Sequence, residues 1–295
     1  MGWRSVIISQ PARLSVKNRQ LLLEQETGVT ATLPLEDLSV VVLETPRAMI
    51  TSALLSELAT HDVALITCDE THHPNGVLLP YLPHSRALRA MQKQLALTVP
   101  QKKRAWQSIV QQKLRNQGEC LNRFLPGAGR FLFDQAERVR SGDPDNREGG
   151  GARYYFVELF GRDFTREQDD WINAALNYGY AIIRAAIARS LVGHGFLPAF
   201  GLHHKNQLNA FNLADDLIEP LRPLVDGLVR AQVRQGCDAL ITADKAGLAQ
   251  LLYADVRMNA GVMNVLTAIE HMVESLGRYC ENTMPVELDW PIILS

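Results

Sequence analysis

A change of hydrophobic period near residues 74–84 is what most constrains this 295-residue chain. Before it, apolar residues come in short runs: Ser5–Ser9, Gln20–Glu24, Val29–Leu33, Ser39–Leu43 and Val63–Thr67. Each run is bounded by polar or turn residues, the pattern of a small sheet. One helical segment, Thr51–Thr60, interrupts them, with Thr51 or Ser52 in position to cap it. Strand, helix and strand in close order predict a crossover packed on that sheet. The stretch P-N-G-V-L-L-P-Y-L-P at 74–83 carries three prolines and a glycine and suits an interdomain connection. Beyond it nearly everything has helical period. The predicted fold class is therefore α+β, with a β-rich N-terminal domain at 1–73, a linker at 74–84 and an all-helical domain at 85–295.

Cys68, Cys120, Cys237 and Cys280 are far apart and form no C-x-x-C. They read as reduced thiols of a cytoplasmic protein, which argues against a structural zinc knuckle. The opening M-G-W-R-S-V-I-I-S-Q has a charge inside its apolar run and no A-x-A site, so no signal peptide is expected. No uncharged apolar run reaches 18 residues, which argues against a membrane span.

Thirty basic against 32 acidic residues give a net charge of −2, which on average argues against nucleic acid. The average hides a local excess. Residues 84–118 hold Arg86, Arg89, Lys93, Lys102, Lys103, Arg104, Lys113 and Arg115 without one Asp or Glu. Such a stretch is either a solvated helix face or a surface for phosphate backbones. Solvated faces usually intersperse acids, which favours the second reading. Trp106 and several glutamines lie among the charges and add stacking and polar contacts.

Residues 141–151, S-G-D-P-D-N-R-E-G-G-G, read as a loop leading into the helix-forming A-R-Y-Y-F-V-E-L-F. Taken alone, Glu148 is only a charge favoured by the exposed amides at a helix start. T-R-E-Q at 165–168 reads as a capping box opening a helix that runs to about Val192. The glycines from Gly193 to Gly201 follow a helix and form no G-x-G-x-x-G, so a dinucleotide site is not supported. Next come His203, His204, Asp215, Asp216 and Glu219. On a helix Asp216 and Glu219 are i,i+3 and Asp215 and Glu219 i,i+4, so like charges would crowd one face. A surface histidine pair and a solvated acidic face are each ordinary. Their co-occurrence across one loop–helix junction suggests a divalent cation, with donors suited to Mg²⁺, Mn²⁺ or Zn²⁺. A second grouping, His61, Cys68, His72 and His73, lacks established ligand spacing. Pro220 and Pro223 predict a kink, and further helices are expected around 243–255 and 260–281. The last carries Val262, Val265, Leu266, Ile269, Val273 and Leu276 on one face.

Three ordered blocks also carry a family resemblance: R-E-G-G-G-A-R-Y-Y-F around Glu148, L-N-Y-G-Y-A-I-I-R at 176–184, and G-L-H-H-K-N-Q-L-N-A-F-N-L-A-D-D-L-I-E-P-L-R-P at 201–223. Over its whole length the chain resembles the integrase of the CRISPR adaptation module, in the variant that accompanies type II systems. The resemblance implies that Glu148, His204 and Glu219 are catalytic metal ligands for Mg²⁺ or Mn²⁺, with Asp216 as an auxiliary acid beside them. It leaves His203 and Asp215 out of the ligand set. Two departures stand out. E-G-G-G-A-R replaces the family's frequent E-G-x-A-A-R and predicts a more flexible start to the helix. The final acid is glutamate where other branches have aspartate.

The implied activity is insertion of short DNA fragments as new spacers, by attack of a fragment 3′-hydroxyl on a repeat phosphodiester. The implied partners are double-stranded DNA, a second copy docked through the β-rich domain, and a small ferredoxin-like adaptation protein. Lys102, Lys103 and Arg104 are the expected DNA contacts. Two alternatives remain open: a metal-dependent nuclease hydrolysing branched DNA or RNA, and a non-catalytic DNA-binding scaffold.

Overall fold

A computed structural model of the chain describes residues 4–28, 30–70, 74–81, 86–233, 240–281 and 287–294. His72, His73 and Cys237 lie outside the described residues, so the grouping drawn around the first two is not described.

Among the described residues the N-terminal part holds eight strands: β1 (Arg4–Ile8), β2 (Ala12–Lys17), β3 (Gln20–Glu24), β4 (Thr30–Pro34), β5 (Leu38–Leu43), β6 (Ala48–Ile50), β7 (Ala64–Cys68) and β8 (Pro74–Leu78). They form two four-stranded sheets, in the orders β1-β5-β7-β8 and β4-β3-β2-β6. Asn18 and Arg19, both at positive φ, make the two-residue turn between β2 and β3. Helix α1 (Ser52–Thr60) begins where the Thr51 hydroxyl accepts from Leu54 N, and supplies the crossover between the parallel strands β5 and β7. The stretch expected to be a linker starts as β8, antiparallel to β7. Pro74 does not interrupt a ladder there, because it opens an edge strand.

Alternation in the first sheet explains how the two halves join. Val41 and Leu65 face a small core shared with Leu14, Leu21, Leu54 and Leu58. Their neighbours Val40, Val42, Ala64 and Ile66 face the other way, into the core of the helices. A strand covered on both faces has no polar side, which is why L-S-V-V-V-L reads as a continuous apolar run.

The second part is mostly helical: α2 (Ala87–Leu95), α3 (Val99–Phe124), α4 (Arg130–Glu137), α5 (Arg147–Phe160), α6 (Trp171–Gly193), α7 (Asn212–Ile218), α8 (Arg222–Gln232), α9 (Thr242–Gln250) and α10 (Val265–Glu281). Helix α6 is buried around almost its whole circumference, as a central helix must be. The expectation of an all-helical domain needs one amendment. Strands β9 (Asp255–Met258), β10 (Gly261–Asn264) and β11 (Ile292–Ile293) form a small antiparallel sheet. Val262, assigned above to the stripe of α10, sits in β10 and is half exposed. The four residues of β10 are too few to separate a strand from a first helical turn by pattern. The T-R-E-Q box forms as a turn in which Thr165 N donates to Gln168 Oε1. Helix α6 starts later, where Asp170 accepts from Asn173 N. Among the described residues no helix is long and apolar enough to cross a membrane.

Candidate active site

Helix α3 is the spine of the site. Thr98 caps it through a reciprocal box with Gln101, and Pro100 lies in its first turn. One face carries Trp106, Ile109, Val110, Lys113, Leu114 and Leu121, all buried. A lysine on an apolar stripe needs acids, and two reach it. The Lys113 ammonium is bonded to Glu148 Oε1 and lies 2.5 Å from Glu219 Oε2, with 8% of its side chain exposed. Lys113 was counted above with the surface charges; it is instead the counter-ion of the acids.

Glu148 sits in the first turn of α5, and the glycines expected to form a loop are helical. Two side chains cap that turn. Asn146, in the left-handed region, accepts from Gly149 N, and Asp143 accepts from the amides of Arg147 and Glu148. Close packing also requires a glycine: a Cβ at position 151 would stand 2.2 Å from Leu114 of α3. The expected flexibility at the start of α5 is thus replaced by a doubly capped turn.

Glu219 follows α7 in a short 3-10 turn and is buried. Arg222 Nε donates to its Oε1 at 2.9 Å, while the buried Oε2 faces the Lys113 ammonium. Burial alone would raise its pKa. Arg222 and Lys113 outweigh burial and hold the carboxyl at about 2. The same two acids outweigh burial at Lys113 and raise its pKa. Arg222 also lies 4.5 Å over the Tyr180 ring.

His204 lies on the loop between α6 and α7. Asp216, with no exposed surface, organises that loop. Its Oδ2 accepts from the amides of Leu202 and His203, and its Oδ1 from the amide of His204 and from His204 Nδ1 at 2.7 Å. This bond raises the imidazole pKa against burial, and it leaves Nε2 as the nitrogen available to a ligand. Gly201 lets the loop close, since a Cβ there would stand 2.5 Å from His204 O. His203 stacks on Trp106, with ring centroids 4.0 Å apart, and burial lowers its pKa. Trp106 is therefore not exposed for stacking on DNA; it seats the histidine loop on α3. Asp215 turns to α6, where it pairs with Arg184 at 2.6 Å.

Glu148 and Glu219 thus meet at one cation. The His204 ring lies edge-on to Trp106, two turns before Lys113 on the same face of α3. Among the described residues no three His, Cys, Asp or Glu side chains gather at metal-binding distance, and the Lys113 ammonium stands between the two carboxylates. The donor set still fits a divalent cation. Two carboxylates already share a positive centre, and the imidazole is fixed through its other nitrogen.

The rest of the basic stretch divides. Lys103 is exposed, packs against Gly142 and accepts that residue's amide on its own carbonyl. Lys102 is half-buried at the start of α3. Arg104 lines, with Arg115 and Tyr279, an open groove of about 950 Å³ on the far side of α3 from Lys113. Arg115 pairs with Glu137 and Arg89 with Glu281, acids that lie outside residues 84–118.

A family model described as CRISPR associated protein Cas1 matches residues 5–141 and 156–241. A protein named CRISPR-associated endonuclease Cas1, from Neisseria meningitidis serogroup C (strain 8013), is 43% identical over 297 residues, covering 100% of this chain and 97% of that protein. The fold is similar to that of a casposase bound to integration product, with TM-score 0.77 and 17% identity over 97% of this chain and 92% of that one. It is also similar to a chain of a Cas6-RT-Cas1–Cas2 complex, with TM-score 0.76 and 18% identity over 99% of this chain and 36% of the other.

Proposed function

This chain belongs to the Cas1 family of CRISPR-associated proteins, and from that membership we propose that it is a metal-dependent DNA integrase that inserts short fragments as new spacers. The observation that carries the reading is the meeting of Glu148 and Glu219, from separate elements, on one buried cation of α3, the helix on which the loop of the Asp216-oriented imidazole also packs.

Glu148, His204 and Glu219 would hold Mg²⁺ or Mn²⁺. Bound there, such an ion would supply Lewis-acid polarisation of the scissile phosphate and stabilisation of charge on the attacking and leaving oxygens. The chain's own residues set the stage. Arg222 keeps Glu219 ionised and fixed, Asp216 holds His204 in one tautomer with Nε2 outward, and the Trp106–His203 stack keeps that loop on α3. The nucleophile is the 3′-hydroxyl of the captured fragment, so no serine or tyrosine of the protein forms a covalent intermediate. Lys102, Lys103 and Arg104 are the proposed backbone contacts, with binding that weakens steeply with salt. A second copy joined through the β-rich part, and a small ferredoxin-like adaptation protein, complete the proposed assembly. The likeness to a chain from a Cas1–Cas2 complex supports an adaptation partner.

The test is a strand-joining assay with a labelled fragment in Mg²⁺ or Mn²⁺. His204→Ala is expected to abolish joining while DNA binding persists. Joining by that variant would sink the ligand assignment. Shortened strands without joined ones from the unsubstituted protein would instead favour a hydrolytic nuclease.

A further inference from the structure

Lys113 occupies the place that the proposed metal needs. Its ammonium reaches Glu148 and Glu219 at once, on a side chain almost wholly enclosed by α3, α5 and the turn after α7. The other cation on Glu219 is tied down: Arg222 is fixed by its Nε bond and by the Tyr180 ring beneath it. Lys113 is a point charge on a flexible four-carbon stem, free of any fork geometry. Two carboxylates against Lys113 and Arg222 make a neutral group, so the acids are balanced without any metal. A divalent cation between the same carboxylates would bring two further charges into a spot that an ammonium already fills. Both cannot stand there.

We infer that Lys113 is a built-in counter-ion that holds Glu148 and Glu219 together until a divalent cation displaces it, so that metal loading is an exchange of ammonium for metal. This rests on the metal-centre reading above. The exchange keeps the acids paired, and the three elements assembled, in protein that carries no metal. It also sets the metal affinity below what the two carboxylates and the imidazole would give alone, because the ion must compete with a cation already in place.

Two measurements on DNA-free full-length protein test this. In the unsubstituted protein, acetylation of Lys113 by acetic anhydride, read by peptide mass spectrometry, is expected to rise several-fold when Mn²⁺ is added. The exposed Lys17 serves as the invariant control. Unchanged labelling of Lys113 under saturating Mn²⁺ overturns the inference, and this arm needs no variant to fold. By calorimetry, Lys113→Met is expected to bind Mn²⁺ about tenfold more tightly, with the gain removed by adding Glu219→Gln. A lysine that served only packing would give equal or weaker binding in Lys113→Met. That result, with unsubstituted binding still sensitive to Glu219→Gln, discards the exchange and leaves the metal centre standing. Mn²⁺ binding indifferent to Glu219→Gln in both backgrounds removes the metal centre itself, and the exchange with it.

Discussion

Asp216 accepts four hydrogen bonds in a place without solvent, three from consecutive backbone amides and one from the His204 ring. A carboxylate has about four acceptor sites, so none remains for a metal, and the residue's work is to shape the loop. Asp216→Asn would turn one acceptor into a donor facing backbone N–H groups. The expected loss is about 2–4 kcal/mol of folding stability, read by urea denaturation; a loss below about 1 kcal/mol would contradict the role. At this scale the grouping was legible, since acids and imidazoles stand together at one loop–helix junction. Their division of labour was not. Asp215 and Asp216 are neighbours in sequence, and only the packing of α7 sends one to Arg184 and the other to the loop. Lys113 did leave a signal: a charge at helical spacing with Ile109, Val110 and Leu114 sits on a buried stripe and calls for an acid.

At the scale of elements, the approach of α3 and α5 decides where Glu148 stands. Gly151 permits it, and Gly151→Ala would drive a methyl group into Leu114. The expected cost is about 1–3 kcal/mol, read as a fall in thermal midpoint and urea stability. Leu114→Ala in the same chain should recover part of it, because the two positions share one contact. Additive losses in the double variant would show that the crowding lies elsewhere. Composition pointed to a loop here, since three consecutive glycines disfavour a helix. Capping by Asp143 and Asn146 and the close packing on α3 override that propensity. The strands β9 to β11 were illegible for a different reason. Each is four residues or fewer, and β11 pairs with β9 from a distant part of the chain.

The whole molecule is joined through its first sheet, whose two faces serve two cores. One buried pair spans the junction: Lys245 of α9 is bonded to Glu44 at the end of β5, and its ammonium lies 5.8 Å over the Tyr178 ring of α6. Lys245→Met removes the ammonium partner of a buried carboxylate, at an expected cost of about 3–5 kcal/mol. Because the cores share strands, tryptophan fluorescence and far-UV circular dichroism should report one coincident urea transition, in the variant as in the parent. Two separated transitions would mean that the halves unfold on their own. The change of period near residues 74–84 marked where sheet gives way to helix, but it could not show that the sheet is shared. Asn116 extends the same interdependence along the chain. Its amide nitrogen donates to Pro220 O, beside Glu219, and to Pro291 O in the segment that forms β11. During synthesis, therefore, the acidic pocket waits for residues made long after its own. A nascent chain halted between Glu219 and Pro291 holds every proposed ligand and still lacks the brace beneath them.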